Sequence, residues 1–133
     1  MSTSQFKKNI LVIDDQKSIR FLLGTMLGKN YNIIAKRDGI EGMAWMARGN
    51  RPDLILLDMQ MPRLKGDDFL RNIKTSGLFG NVPVIVLSGN ENSSDIDTCF
   101  KLGADEYIKK PFNPIQLQDK IDSIFHDVNL AVN

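Results

Sequence analysis

The stretch "LILLDMQMP", residues 54–62, joins the aliphatic run Leu54 to Leu57 to Asp58 and closes on Pro62. An unbroken apolar run of this length is the pattern of a strand buried on both faces, as in a parallel sheet. A carboxylate is costly to remove from water. Asp58 is therefore either an incidental loop residue or a group that the strand holds in place.

Four further short runs rich in Ile, Val and Leu have strand length: "ILVID" (10–14), "NIIAK" (32–36), "VPVIVLS" (82–88) and "EYIKK" (106–110), with the third strand over 53–58. Helical spacing fills the intervals. Ile19, Leu22, Leu23, Met26 and Leu27 recur at i, i+3, i+4, i+7 and i+8; Ile40, Met43, Ala44 and Ala47 follow the same rule, as do Phe69, Leu70 and Ile73. Ile96, Cys99 and Phe100 mark a fourth helix over 91–102, which Gly103 terminates. Leu117, Ile121, Ile124, Phe125 and Val128 form the stripe of a last helix over 114–128, introduced by the capping pair Asn113-Pro114.

Five strands alternating with five helices predict an α/β fold: a doubly wound, five-stranded parallel sheet with right-handed crossovers. The most apolar strands (10–14, 53–58 and 82–88) belong at the centre and the more polar 32–36 near an edge. The flavodoxin-like order 2-1-3-4-5 satisfies both, and ligands of such sheets bind beyond the carboxyl ends of the strands, at the switch point between strands 1 and 3.

The chain of 133 residues fits one domain, with 42% hydrophobic and 25% charged residues, and its net charge of +1 suggests neither a nucleic-acid nor a membrane partner. No apolar run reaches the roughly 20 residues needed to span a bilayer, and "MSTSQFKKNI" has no signal-peptide apolar region, so a cytoplasmic setting is expected. Cys99 reads as a small buried residue. One cysteine and one histidine exclude the usual zinc sites.

The strand ends carry the chemistry: Asp14-Asp15, Asp58, Ser88, and Lys110 followed by Pro111. Taken singly, an Asp-Asp pair can be a capping turn, a serine a cap and a lysine a solvated charge. Together they sit at one edge. Three crowded carboxylates repel one another unless a divalent cation neutralises them, and an all-oxygen site suits Mg²⁺. A lysine and a hydroxyl opposite such a cation would bind phosphoryl oxygens. A Walker-type GxxxxGK[ST] loop is absent, so the set suits holding a phosphoryl group rather than a nucleotide.

"ILVIDDQ", "DLILLDMQMP", "PVIVLSG" and "GADEYIKKPF" resemble the signature segments of the CheY-like receiver domain of bacterial two-component response regulators, and the resemblance spans about residues 9–128 of a single domain, 1–133. It implies that Asp58 is the phosphoacceptor, taking a phosphoryl group from the phosphohistidine of a sensor histidine kinase or a histidine phosphotransfer protein. It implies Mg²⁺ or Mn²⁺ as cofactor, held by Asp15, Asp58 and the backbone carbonyl of Gln60, with Asp14 acting through a water. Lys110 would pair with the phosphoryl oxygens, and its bond to Pro111 would be cis, aiming the lysine inward. Ser88 and Tyr107 resemble the switch pair: the hydroxyl moves to the phosphoryl group and the phenol turns inward. Phosphorylation would then alter the face formed by helix 91–102, strand 106–110 and helix 114–128 for a downstream effector. The resemblance implies a signalling switch rather than an enzyme, a monomer or weak dimer.

Departures are local. Lys65 stands where the family often has an acid, and Gln60 and Asn90 flank the site, where they bear on acyl-phosphate lifetime. Asp97, Lys101, Asp105 and Glu106 read as a solvated charged face or an interaction patch. Gln116 and Lys120 replace the acid and arginine of regulators that dimerise through this face. Trp45, Phe21 and His126 carry no distinctive signal. After the last helix only "NLAVN" remains, so the expectation is a stand-alone receiver or the receiver portion of a longer regulator. Two other classes share parts of the pattern. A Mg²⁺-dependent phosphohydrolase would have an acid where Gln60 stands; a flavin protein of the same strand order would need a phosphate loop where "DDQKS" places two negative charges.

Overall fold

The computed structural model describes the backbone of residues 7–60, 65–89 and 93–132. Pro62, Asn90 and the side chain of Val128 lie outside the described residues. Strands and helices alternate as β1 (Asn9–Ile13), α1 (Lys17–Leu27), β2 (Asn32–Lys36), α2 (Gly39–Ala47), β3 (Leu54–Asp58), α3 (Gly66–Lys74), β4 (Val84–Ser88), α4 (Ser93–Lys101), β5 (Glu106–Lys109) and α5 (Pro114–Val132). Every strand pairing is parallel, in the order β2-β1-β3-β4-β5.

Strand periodicity divides the core in two. Leu11, Ile13, Ile55, Leu57, Val84 and Val86 pack with α2, α3 and α4 on one face. Their neighbours Ile10, Val12, Leu54, Leu56, Ile85 and Leu87 pack with α1 and α5 on the other. Both faces of β1, β3 and β4 are therefore dry, which explains the unbroken apolar runs. Each fully buried Leu or Ile contributes about 1.5–3 kcal/mol by leaving water, so the three central strands form a stiff platform.

Boundaries differ from the sequence reading by one to four residues. β1 ends at Ile13 rather than Asp14, and β5 at Lys109 rather than Lys110. β4 begins at Val84 because Pro83 has no N–H to give the ladder, although its carbonyl accepts the Ile55 N–H at 3.0 Å. α4 covers Ser93–Lys101, within the expected 91–102, and α5 runs past 128 to Val132. Asn113 caps α5 as expected, its Oδ1 accepting the N–H groups of Ile115 at 2.9 Å and Gln116 at 3.1 Å. Gly103 ends α4 at φ +108, with its N–H to the Phe100 carbonyl and the Ala104 N–H to the Cys99 carbonyl, both 3.0 Å. This is a Schellman cap.

The stripe assigned to α2 is corrected. Ile40, Ala44 and Ala47 are exposed, while Gly39, Gly42 and Met46 are buried and Met43 and Trp45 pack at the core's edge. A Cβ at Gly42 would lie 2.7 Å from Ile13 Cδ1, so glycine permits the close approach of α2 to β1. Counting apolar residues overlooks a helix face whose contact residue has no side chain.

Asp105 is exposed, as a charged-face residue should be, and it is in addition a structural clasp. Its Oδ2 accepts the Val84 N–H at 2.8 Å and the Lys74 ammonium at 3.0 Å. Lys74 also donates to the Val82 carbonyl at 2.7 Å, tying α3 to the starts of β4 and β5. Asp97 and Lys101 are exposed.

Candidate functional site

Parallel pairing brings every strand's carboxyl end to one edge. Asp58 is the last residue of β3 and Ser88 the last of β4, with Asp58 opposite Leu87 and Ser88 opposite Lys109. Asp14 follows β1 directly and Lys110 follows β5. Asp14, Asp58 and Ser88 are buried, at 0%, 4% and 3% exposure, whereas Asp15 is exposed.

Asp14 is held on every side. Its N–H donates to the Lys36 carbonyl (3.1 Å), Oδ1 accepts the Gln16 N–H (2.9 Å), and Oδ2 accepts Lys110 Nζ (2.8 Å). The Arg20 guanidinium donates to its carbonyl at 2.8 Å. Asp58 Oδ1 accepts the Gln60 N–H at 3.1 Å and lies 3.7 Å from Lys110 Nζ. The Lys110–Pro111 bond is cis, as the resemblance implied.

Burial pushes the Asp58 carboxyl up from 3.8 to about 6; the Gln60 N–H and the Lys110 ammonium oppose the rise, and Asp14 and Asp15 add to it. Carboxylate oxygens of Asp14, Asp15 and Asp58 all lie within 4.8 Å of one another. Three oxygen donors, no nitrogen or sulfur, an uncompensated negative charge and one solvent-exposed member suit a hard divalent ion that retains waters. The residues fit Mg²⁺ or Mn²⁺.

Ser88 and Tyr107 come together on the other side of the sheet edge. With Met59, Gln60, Thr98 and Cys99 they line a cavity of about 220 Å³. Tyr107 is half-buried and packs against the α2–α4 side of the core. Lys65, just before α3, is exposed on the rim of this cavity.

A second groove, of about 360 Å³, adjoins the acidic cluster and is lined by Gln16, Ile19, Leu22, Lys110, Pro111 and Phe112. Phe21 and Ile115 are exposed at 75% and 72%. Neither side chain is among those lining the groove. Arg20 is unmarked in the sequence, because its partner is a backbone carbonyl six residues away. Lys120 Nζ lies 3.6 Å from Glu106 Oε2, between α5 and β5, and His126 is exposed on α5.

The family model for the response regulator receiver domain matches residues 10–122. This chain belongs to that family. Among curated relatives, the receiver is 39% identical over 126 residues to the probable transcriptional regulator ycf27 of Porphyridium aerugineum, a match covering 94% of this chain and 51% of that one. The receiver spans about half the length of the curated relatives it matches. The phosphorylated cyanobacterial phytochrome response regulator RcpA superposes with a TM-score of 0.77 at 33% identity, over 89% of this chain and 91% of that chain. The Mn²⁺-bound form of response regulator Rcp1 superposes at 0.76 with 29% identity, over 88% and 91%. The receiver therefore acts in two-component phosphorelay signalling, and no helix among its described residues is long and apolar enough to cross a membrane.

Proposed function

We propose that Asp58 is the phosphoacceptor of this receiver and that Asp15, Asp58 and the Gln60 carbonyl hold the Mg²⁺ or Mn²⁺ it requires, with Asp14 contributing through a water. The observation that carries the reading is the placement of Asp58: a buried carboxylate ending a central strand that is dry on both faces, with Oδ1 engaged by the Gln60 N–H and Lys110 close by. The second oxygen, Oδ2, attacks phosphorus. The bond from phosphorus to the donor's imidazole nitrogen breaks as the bond to Oδ2 forms, and the imidazole leaves with the electron pair. A bound divalent cation offsets the charge on the transferring phosphoryl oxygens.

Asp14 already has both oxygens occupied by Gln16 and Lys110, which supports an indirect role, while exposed Asp15 is open to a cation. Lys110 is placed to swing from Asp14 to a phosphoryl oxygen, and Ser88 to donate its hydroxyl from the opposite side. The 220 Å³ cavity beside Ser88 exceeds the roughly 150 Å³ in which an apolar protein cavity takes up benzene. It therefore has room for the Tyr107 phenol to turn inward, altering the α4–β5–α5 face for an effector.

The histidine-bearing donor, a sensor kinase or a phosphotransfer protein, docks across α1 and the β5–α5 loop. The apolar groove there shares Gln16 and Lys110 with the acidic cluster. Neutral Gln60, where a phosphohydrolase would carry an acid, supports storing the phosphoryl group over turning over phosphoesters.

Intact mass after treatment with Mg²⁺ and acetyl phosphate tests the reading. One added phosphoryl group is expected, absent in Asp58→Asn and in EDTA. No labelling at saturating donor would overturn it.

A further inference from the structure

We propose that Arg20 is a positioning residue for the divalent-cation site: its guanidinium clamps the peptide between Asp14 and Asp15 and so aims the Asp15 carboxylate. The inference rests on the reading of the acidic cluster as that site. Asp15 is exposed and its carboxylate meets that of Asp58, while the peptide that precedes it sets where its side chain departs from the backbone. The amide and carboxylate of Asp14 are fixed by Lys36, Gln16 and Lys110. Its carbonyl, which sets the plane of the Asp14–Asp15 peptide, accepts Arg20 Nη1 at 2.8 Å. Arg20 is itself anchored, because its backbone N–H donates to the Gln16 carbonyl at 3.1 Å within the first turn of α1. The clamp thus ties a solvent-facing loop to a helix that buries Leu23 and Leu27 in the core.

A charge-only role makes the opposite prediction. A positive charge held on the Asp14 carbonyl would oppose a cation at the adjoining carboxylates, so removing it would favour cation binding. A lysine keeps the charge but lacks the planar, directional fork. The pair Arg20→Lys and Arg20→Met therefore separates geometry from charge, and Arg20→Lys decides alone if the Met variant does not fold.

Titration of MgCl2 by calorimetry into the whole chain, with melting temperature recorded in EDTA, is the test. Both variants are expected to raise the Mg²⁺ dissociation constant roughly 10-fold, the low end for loss of a residue that orients a metal ligand. Tyr31→Phe, which loses a hydrogen bond to Asp122 at the far end of the sheet, is expected to melt earlier yet bind Mg²⁺ like wild type. Wild-type affinity in Arg20→Lys, or tighter binding in Arg20→Met, would overturn the positioning role. Failure of the wild-type chain to bind Mg²⁺ would instead remove the reading of the cluster as a cation site.

Discussion

Lys110 rests on Asp14 rather than on Asp58: Nζ lies 2.8 Å from Asp14 Oδ2 and 3.7 Å from Asp58 Oδ1. Both members of the closer pair are largely buried, with side chains 16% and 1% exposed. Removing one partner of such a pair leaves a charge without compensation, at a cost of about 3 kcal/mol or more. Lys110→Met is therefore expected to lower the melting temperature in EDTA, to regain part of the loss in Mg²⁺, and to lose phosphoryl uptake from acetyl phosphate. Calorimetry with and without Mg²⁺, alongside intact mass, checks all three.

The raised Asp58 carboxyl makes the metal-free fold pH-dependent. Its value of about 6 exceeds the ordinary 3.8, so the folded state binds the proton more tightly. This contribution is fully present below 3.8 and is lost as pH rises through about 6, with a ceiling near 3 kcal/mol. Asp58→Asn is accordingly expected to melt higher than wild type in EDTA at about pH 7.5, with the gain shrinking toward about pH 4. Saturating Mg²⁺ narrows the difference by stabilising only the wild type. Thermal melts across pH measure it, and a pH-independent gain would contradict the assignment.

Cys99 forms one wall of the cavity into which Tyr107 is expected to turn. Cys99→Leu fills that space, with an overpacking cost of about 1–3 kcal/mol. Phosphoryl uptake at Asp58 should persist, because Cys99 touches none of the carboxylates or Lys110. In a Tyr31→Phe background Tyr107 is the remaining tyrosine, and its ring resonance should shift on phosphorylation in Cys99 protein but not in Cys99→Leu protein.

Asp105→Ala removes the acceptor for the Val84 N–H and the partner of Lys74. A loss of about 1.5–3 kcal/mol is expected in urea unfolding, as for hydrogen bonds to a charged group. Phosphorylation by acetyl phosphate should be unchanged, since Asp105 sits at the opposite end of β5 from Lys110.

The sheet was legible in the sequence because a strand dry on both faces must be apolar at each position, as Leu54 to Leu57 and Val84 to Leu87 are. Parallel order then obliges Asp14, Asp58, Ser88 and Lys110 to meet at one edge. Alternation also sorts them. Asp58 falls in step with Leu54 and Leu56, which pack toward α1 and α5, whereas Ser88 falls in step with Val84 and Val86, toward α3 and α4. Asp58 accordingly lies with Asp14 and Lys110, and Ser88 lies with Tyr107 beside the cavity.

Packing decided what periodicity cannot express. Gly42 makes the inward face of α2 because it lacks a side chain, and Asp105 is a clasp because Lys74, 31 residues away, reaches it. Arg20 acquires its role from one backbone carbonyl. Local sequence encodes which residues avoid water and at what period. Distances between residues far apart in the chain, and the resting place of Lys110 on Asp14, exist only once the helices have closed on the sheet.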